Sequence, residues 1–167
     1  MDISHRTASR TIEYAHNDFS IAMFARAARD RAVYQKYIAR ATWWENLWYA
    51  NATERRTGLK GFVQPKLANG SWVNRSGEKC ETCLVAIHGD GEFYEETAWS
   101  YSWFVPHDYA RVIELVGGRA KFVERLGCLY CVWTDVDTFF DEGFANVGNE
   151  PGLLQAVLYH YAVCLFV

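Results

Sequence analysis

Carboxylates and aromatic rings are concentrated in one stretch of this chain, EFYEETAWSYSWFVPHD, which runs from Glu92 to Asp108. The stretch holds four acids, six aromatics and one histidine. A core favours the rings without the acids, and a solvated surface favours the acids without the rings. The mixture is typical of a site that binds a molecule with both flat faces and many hydroxyls.

Cysteine spacing offers a second chemistry. Two C-x-x-C pairs, CETC beginning at Cys80 and CLYC beginning at Cys128, have the spacing of zinc ligands. However, the second pair lies in the apolar run LGCLYCVW, which lacks the turn residues of a zinc knuckle, and the two pairs are far apart. Cys164 brings the total to five, an odd count that argues against a complete disulfide framework. We therefore favour a structural role for these cysteines over zinc binding.

Composition excludes several classes of protein. The length of 167 residues corresponds to one ordinary domain, and 50% apolar with 22% charged residues is enough for a globular core. A net charge of −3 without a basic run argues against nucleic-acid binding. No apolar run has the roughly 18 residues of a membrane helix, and the polar start MDISHRTASR shows no signal peptide. Sequons at Asn51, Asn69 and Asn74 hint at a secretory-pathway ancestor, so the compartment stays open.

Two helices are predicted in the first third of the chain. SRTIEYAHNDFSIAMFARAARD has helical spacing, with apolar residues at Ile12, Ala15, Phe19, Ala22 and Ala25. DRAVYQKYIARATWWENLWYAN repeats this spacing as far as Trp48, and Asp30 is placed to cap its start. Since little chain separates them, the two helices are expected to form an antiparallel hairpin.

The rest of the chain is predicted to be a long loop followed by shorter helices. Residues 51–90 are rich in Gly, Asn, Pro and Ser and predict an ordered loop with a short hairpin at ANGS. Helical pattern returns near Tyr94, is interrupted at Pro106 and restarts at His107 or Asp108. That helix is expected to stop at Gly117-Gly118 and to be followed by RAKFVERL and by a last helix through Leu154 and Tyr161.

Four segments, SRTIEYAHNDFSIA, GFVQPKLANGSW, ETAWSYSWFVPHD and FANVGNEPG with LYHYA, follow one another along the chain. Their order and spacing resemble glycoside hydrolase family 92, the calcium-dependent exo-acting α-mannosidases, and the fungal branch fits best. WFVPHD and GNEP are the specific motifs. The resemblance covers nearly the whole chain, from Ser9 to Ala162.

The resemblance implies an all-α fold, a partial α/α toroid made of helical hairpins with a long irregular loop. Residues 1–167 are expected to form one partial catalytic domain, without the N-terminal β-sandwich and the C-terminal part of the barrel that members carry. Two stretches depart from the family pattern, at 127–136 and 163–167. We hypothesise that both come from misread splice junctions, and a transcript in which these codons are translated would contradict this.

An inverting glycosidase needs one carboxylic acid to protonate the leaving oxygen and one carboxylate to activate water on the opposite face. The resemblance assigns the acid to Glu95, and the rings of FYEETAW favour a retained proton because apolar surroundings desolvate the charged form. Glu96 stands where members usually have glycine. The alternative, which is stronger for Glu96 and Glu92, is a solvated acid at a helix start.

The resemblance also implies a calcium ion at the GNEP turn, where Asn149 and Glu150 would supply hard oxygen ligands and the ion would polarise and orient the substrate. On the residues alone, a cap of the last helix is the simpler role for both. Trp99, His107 and Asp108 are predicted to bind the sugar, with core packing or helix capping as the alternatives. Glu13, His16 and Asp18 belong to the motif EYAHNDF without an assignable role.

The implied activity is inverting, calcium-dependent hydrolysis of terminal α-mannosides, α-1,2-linked and from N-glycans. In the family the general base is an aspartate C-terminal to GNEP, and no residue of this chain matches it. We therefore expect a fragment with little turnover alone. Its expected partners are an α-mannoside and missing segments of its own catalytic domain, with no nucleic acid and no membrane. The alternative is a degenerate, non-catalytic sugar-binding or structural remnant.

Overall fold

The computed structural model describes residues 6–54, 57–72, 93–94, 96–131 and 152–163. This part of the chain is mostly helical with one small sheet, so the all-α expectation is corrected by a pair of strands. None of the described helices is long and apolar enough to cross a membrane. In chain order the elements are α1 Thr7–Ala27, α2 Arg31–Arg40, β1 Trp48–Thr53, β2 Lys60–Val63, α3 Ala98–Tyr101, α4 Tyr109–Leu115, α5 Arg119–Cys131 and α6 Tyr159–Val163.

Helices α1 and α2 form the predicted antiparallel hairpin. The turn between them places Arg29 at a positive φ of 59°. Asp30 caps α2 as predicted, because its Oδ1 accepts a hydrogen bond from the Val33 N–H at 3.0 Å. Near the other end, Arg40 Nε donates to Asp18 Oδ2 at 2.8 Å, and the Asp18 side chain is only 8% exposed. This ion pair fixes the two helices side by side.

The second helix is shorter than its apolar spacing predicts. It ends at Arg40, and a 3₁₀ turn over Trp43–Leu47 leads directly into β1. Trp44 is fully buried and Leu47 nearly so, and the turn directs both into the core. Trp48 and Tyr49 then pair with β2 instead of continuing the helix, consistent with the strand preference of aromatic residues.

A two-stranded antiparallel sheet replaces the first part of the predicted loop. Trp48 pairs with Val63 and Tyr49 with Phe62, and the register is irregular before Thr53. Gly61 has a φ of +82°, and a Cβ there would lie 2.8 Å from the Trp48 ring, so this position requires glycine. The short hairpin predicted at ANGS is confirmed, since Lys66 and Trp72 form an antiparallel bridge around it.

The shorter helices complete the core. Helix α4 ends where Gly117 and Gly118 both have positive φ, as predicted. Helix α5 continues past ERL through residues 127–131, the start of the stretch that departs from the family pattern, and buries Leu129. The predicted last helix is divided into a 3₁₀ turn over Gln155–Val157 and α6. The largest fully buried side chains include Trp44, Phe62, Trp99, Tyr101, Trp103, Phe122 and Arg125.

Candidate functional site

The structure describes half of the predicted site residues. Glu95, Asn149 and Glu150 lie outside the described residues, so their predicted roles stay predictions. Trp99, His107 and Asp108 lie within the described segment 96–131, on α3 or between α3 and α4. The site is therefore built here from the segment 93–109, without residue 95, and from the elements that pack against it.

Helix α3 starts at a side-chain cap. Thr97 Oγ1 accepts hydrogen bonds from the N–H groups of Trp99 at 3.1 Å and Ser100 at 3.4 Å. Directly before the cap, the Glu96 carboxylate is buried and its Oε2 accepts a hydrogen bond from Ser100 Oγ at 2.6 Å. The expectation that Glu96 is a solvated acid is therefore wrong. The side chain fixes the start of α3 from within the protein.

Trp99 lies inside the core of the described structure. Its side chain is fully buried, its ring meets Phe62 edge to face with centroids 5.0 Å apart, and the Arg125 guanidinium lies 5.1 Å from the ring centre. This is the environment of a packing residue, which was the alternative role for this side chain. Stacking of Trp99 on a sugar stays a prediction.

Tyr101 joins α3 to α1. Its hydroxyl lies 2.8 Å from Glu13 Oε1 and 3.3 Å from the Tyr94 carbonyl oxygen. Burial, followed by the hydrogen bond and charge of Glu13, raises the pKa of Tyr101, so the hydroxyl stays protonated. The sequence marked Glu13 only as a motif residue, and the fold is what brings its carboxylate to Tyr101.

His107 lies against α1 and the end of α2. Its Nε2 is 3.0 Å from the Ala41 carbonyl oxygen, and its ring packs on His16 and Phe19 with centroids 5.7 and 5.4 Å away. Burial, with a smaller contribution from the charge of His16, lowers the pKa of His107, although the bond to Ala41 opposes this. The neutral ring therefore donates from Nε2 to Ala41, which leaves the lone pair on Nδ1.

Asp108 precedes α4 but does not cap it through its side chain. Burial raises the pKa of Asp108, and the charge of Glu45 raises it further. Hydrogen bonding with the Arg111 backbone and the Trp44 side chain lowers the pKa and offsets part of this rise. Arg111 Nε pairs with Glu45 Oε2 at 2.8 Å and so ties α4 to the 3₁₀ turn. His107 and Asp108 are thus neighbouring polar groups with opposite shifts in pKa.

No group of three or more His, Cys, Asp or Glu side chains that could hold a metal ion occurs among the described residues. Cys128 is half-buried, and CETC lies outside the described residues. Asn149 and Glu150 have the oxygen donors that calcium prefers, and both lie outside the described residues.

Comparisons with known proteins agree on one class. The sequence model of the glycosyl hydrolase family 92 catalytic domain matches residues 1–163. An uncharacterized secreted glycosidase of Arthroderma benhamiae is 35% identical over 168 residues, which are 96% of this chain and 20% of that protein. The structure of the family GH92 α-mannosidase BT3965 from Bacteroides thetaiotaomicron in complex with mannoimidazole matches with a TM-score of 0.74 at 26% identity. That match covers 95% of this chain and 20% of the mannosidase.

A second solved structure, the family GH92 inverting mannosidase BT2199 from Bacteroides thetaiotaomicron, matches with a TM-score of 0.62 at 25% identity over 99% of this chain and 19% of its own. These matches place the chain among glycoside hydrolases. The chain belongs to glycosyl hydrolase family 92. It spans about a fifth of the length of the relatives that it matches.

Proposed function

We propose that this chain carries the acid-bearing part of the active site of an inverting, calcium-dependent α-mannosidase that removes terminal α-1,2-linked mannose from N-glycans. The observation that carries the proposal is the match, over 95% of this chain, to an α-mannosidase in complex with mannoimidazole. The inverting mechanism is supported by the match to a mannosidase described as inverting.

Glu95 is the proposed general acid, which gives its proton to the glycosidic oxygen as the bond to the anomeric carbon breaks. A base on the opposite face removes a proton from the attacking water, and the anomeric centre inverts. No residue of this chain matches that base, so we assign it to none. His107 and Asp108 are proposed to hydrogen-bond to sugar hydroxyls, which can donate to the lone pair on Nδ1 of a neutral imidazole.

Calcium is proposed to bind through oxygens of Asn149 and Glu150. When bound, the ion would polarise the sugar hydroxyls and orient the ring. A single carboxylate binds calcium weakly, so the proposal requires further oxygen ligands. Because neither residue is among those described, the support for this site is the GNEP motif and membership of the family.

The test uses a chimera in which residues 1–163 replace the aligned segment of the Arthroderma benhamiae glycosidase. The chimera and its parent are assayed on α-1,2-mannobiose by ¹H NMR, and β-mannose is expected to appear first, with loss of activity in EDTA. Glu95→Gln is expected to lower kcat by about 10²-fold or more. The loss should be much smaller for 2,4-dinitrophenyl α-mannoside, since that leaving group needs no protonation. Glu92→Gln is the matched control and is expected to retain activity.

Four results would contradict parts of this proposal. Initial release of α-mannose would exclude inversion, and equal losses for both substrates in Glu95→Gln would exclude the acid role. A chimera and parent that cleave another glycoside but no α-mannoside would exclude the substrate class. Turnover by the 167-residue chain alone would show that it already contains a base.

The burial of Trp99 favours a second candidate, a non-catalytic remnant in which this ring only packs. Calorimetric titration of the chain with mannose and calcium separates the two. A remnant that retains a sugar site is expected to bind equally well after Glu95→Gln, whereas the catalytic fragment is expected to bind poorly without the rest of its subsite.

A further inference from the structure

The short hairpin between Lys66 and Trp72 carries a motif that the proposed function does not use. Its tip is the sequon Asn69-Gly70-Ser71, one of three N-x-[ST] sequons in the chain. Every residue from 66 to 71 is exposed. A bulky hydrophilic group attached to Asn69 would therefore project into solvent without disturbing the core.

The tip holds the Asn69 side chain in an Asx turn. Its Oδ1 accepts hydrogen bonds from the Ser71 N–H at 3.0 Å and from Ser71 Oγ at 2.7 Å. Because the backbone N–H can only donate, the amide atom that faces it is the oxygen, and neither bond uses Nδ2. The turn therefore arranges the two polar residues of the sequon and presents the amide nitrogen on the other side of the side chain.

The turn is held by contacts within the hairpin itself. The Gly70 N–H donates to the Leu67 carbonyl oxygen at 2.8 Å, and the Leu67 N–H donates to the Ser71 carbonyl oxygen at 2.8 Å. Gly70 has a φ of +83°, which glycine adopts without strain. Since no distant partner is needed, the same turn can form in a newly made chain before the rest of the protein folds.

The sequon at Asn51 is arranged differently. It lies on β1, where Thr53 Oγ1 donates its single proton to the backbone carbonyl oxygen of Asn51 at 3.0 Å. Ala52, between them, is 2% exposed and belongs to the core. The third sequon, at Asn74, lies outside the described residues. Of the two described sequons, that at Asn69 alone combines full exposure with a turn of its own.

We propose that Asn69 is an N-glycosylation site in a chain that enters the secretory pathway. The co-substrate is an oligosaccharide joined to a polyprenyl pyrophosphate. A bond forms between Nδ2 and the anomeric carbon as the bond from that carbon to the pyrophosphate oxygen breaks. The lipid pyrophosphate leaves, and one Nδ2 proton passes to a base of the transferase. The Arthroderma benhamiae relative is described as secreted.

The experiment translates the whole 167-residue chain behind a cleavable signal sequence with rough microsomes, and protection from added protease identifies the imported chains. Asn51→Gln and Asn74→Gln leave Asn69 as the single sequon. The protected chain is expected to gain one oligosaccharide that endoglycosidase H removes, and Asn69→Gln is expected to abolish this gain. Peptide N-glycosidase in H₂¹⁸O, followed by mass spectrometry, separates a glycosylated Asn69 from spontaneous deamidation. Protected chains without a glycan at Asn69 would overturn the proposal.

Gly70→Val tests the turn separately from the motif. The substituted tripeptide is still a sequon, but a β-branched residue is strained at a φ of +83°. The turn is then populated less, and occupancy of Asn69 is expected to fall by about twofold or more. The matched control is Gly58→Val, at another glycine of positive φ, +71°, with open space around it. Unchanged occupancy in Gly70→Val would overturn the role of the turn, as would an equal loss in Gly58→Val.

A chain that retains Asn51 as its single sequon completes the comparison. Its occupancy is expected to be lower than that of the chain that retains Asn69, and an equal or higher occupancy would count against the inference. Attachment of the oligosaccharide requires neither calcium nor mannoside hydrolysis. The inference therefore stands or fails independently of the proposed function.

Discussion

Arg125 is a buried cation surrounded mainly by rings, and this predicts an unusual response to substitution. The residue is 2% exposed, and its Nη1 donates to the Lys60 carbonyl oxygen at 2.9 Å. The guanidinium lies 3.8 Å from the centre of the Phe62 ring and 5.1 and 5.5 Å from those of Trp99 and Trp103. Among the described residues, Nε and Nη2 have no hydrogen-bond partner.

The opposing free energies are similar in size. Burial lowers the pKa of Arg125 to about 9, and the charge of Cys128 opposes this fall. The lowered pKa corresponds to a cost of about 5 kcal/mol for the charged form near neutral pH. A hydrogen bond from a charged donor contributes about 1.5–3 kcal/mol. A desolvated cation–π contact contributes about 2 kcal/mol, and the Phe62 ring is close enough to supply one. These contributions nearly offset the cost of burying the charge.

Arg125→Met is therefore expected to change the free energy of unfolding by less than about 2 kcal/mol, since a buried charge replaced by an apolar side chain of similar length is often tolerated. Arg125→Ala leaves a cavity and is expected to cost about 2–5 kcal/mol. Arg125→Lys keeps the charge but loses the planar stacking, so it is expected to destabilise more than Arg125→Met. Urea unfolding followed by circular dichroism at pH 7 gives each value.

The reasoning is refuted if Arg125→Met costs more than about 4 kcal/mol while Arg125→Lys is nearly silent. Removing one member of a buried ion pair costs about 3–5 kcal/mol, so that outcome would mean that the guanidinium has an anionic partner. The anionic partner, and not the cation–π contacts with the rings, would then be the main source of stabilisation for Arg125.

Three further predictions concern single positions. Trp99→Ala is expected to cost about 3–5 kcal/mol in urea unfolding, as for a core ring, and a small cost with weakened sugar binding would instead identify a sugar-stacking role. His107→Gln is expected to flatten the fall in stability below pH 6.5, because the buried ring, with its lowered pKa, binds fewer protons there than the same ring in the unfolded chain. An unchanged pH profile of unfolding would count against this. Gly61→Ala is expected to lower Tm more than Gly58→Ala. Both glycines have positive φ, but only at Gly61 would an added Cβ also lie 2.8 Å from the Trp48 ring. Equal losses of Tm by calorimetry would exclude this clash.

Local patterns predicted those elements whose determinants are close together in sequence. The apolar spacing of α1, the cap at Asp30 and the stop at Gly117 are each set within a turn or two of helix, and each is confirmed. The strand at Trp48 was missed because TWWENLWYAN also has helical spacing. Its conformation depends on pairing with Val63, and such pairing is not visible in a local window.

The candidate site could be predicted as a set of residue types but not as an arrangement. The motif identified Trp99, His107 and Asp108, yet whether each faces the core or a substrate depends on the elements that pack against it. Trp99 is buried because β2 and α5 supply Phe62 and Arg125 beside it. Spacing along the chain carries no information about either neighbour.

The orientation of the described residues between 93 and 111 is determined mostly by partners from the first 63 residues of the chain. The side chains of these residues are held by partners that lie 39 to 88 positions earlier: Glu13 for Tyr101, Ala41 for His107, Glu45 for Arg111 and the Val63 N–H for Ser102. These partners come from α1, the end of α2, the 3₁₀ turn and β2. It follows that the motif ETAWSYSWFVPHD cannot define a site by itself, because the same residues without this scaffold would lose their buried contacts. Substitutions in the first helical hairpin should therefore alter the site without touching any predicted ligand of the sugar.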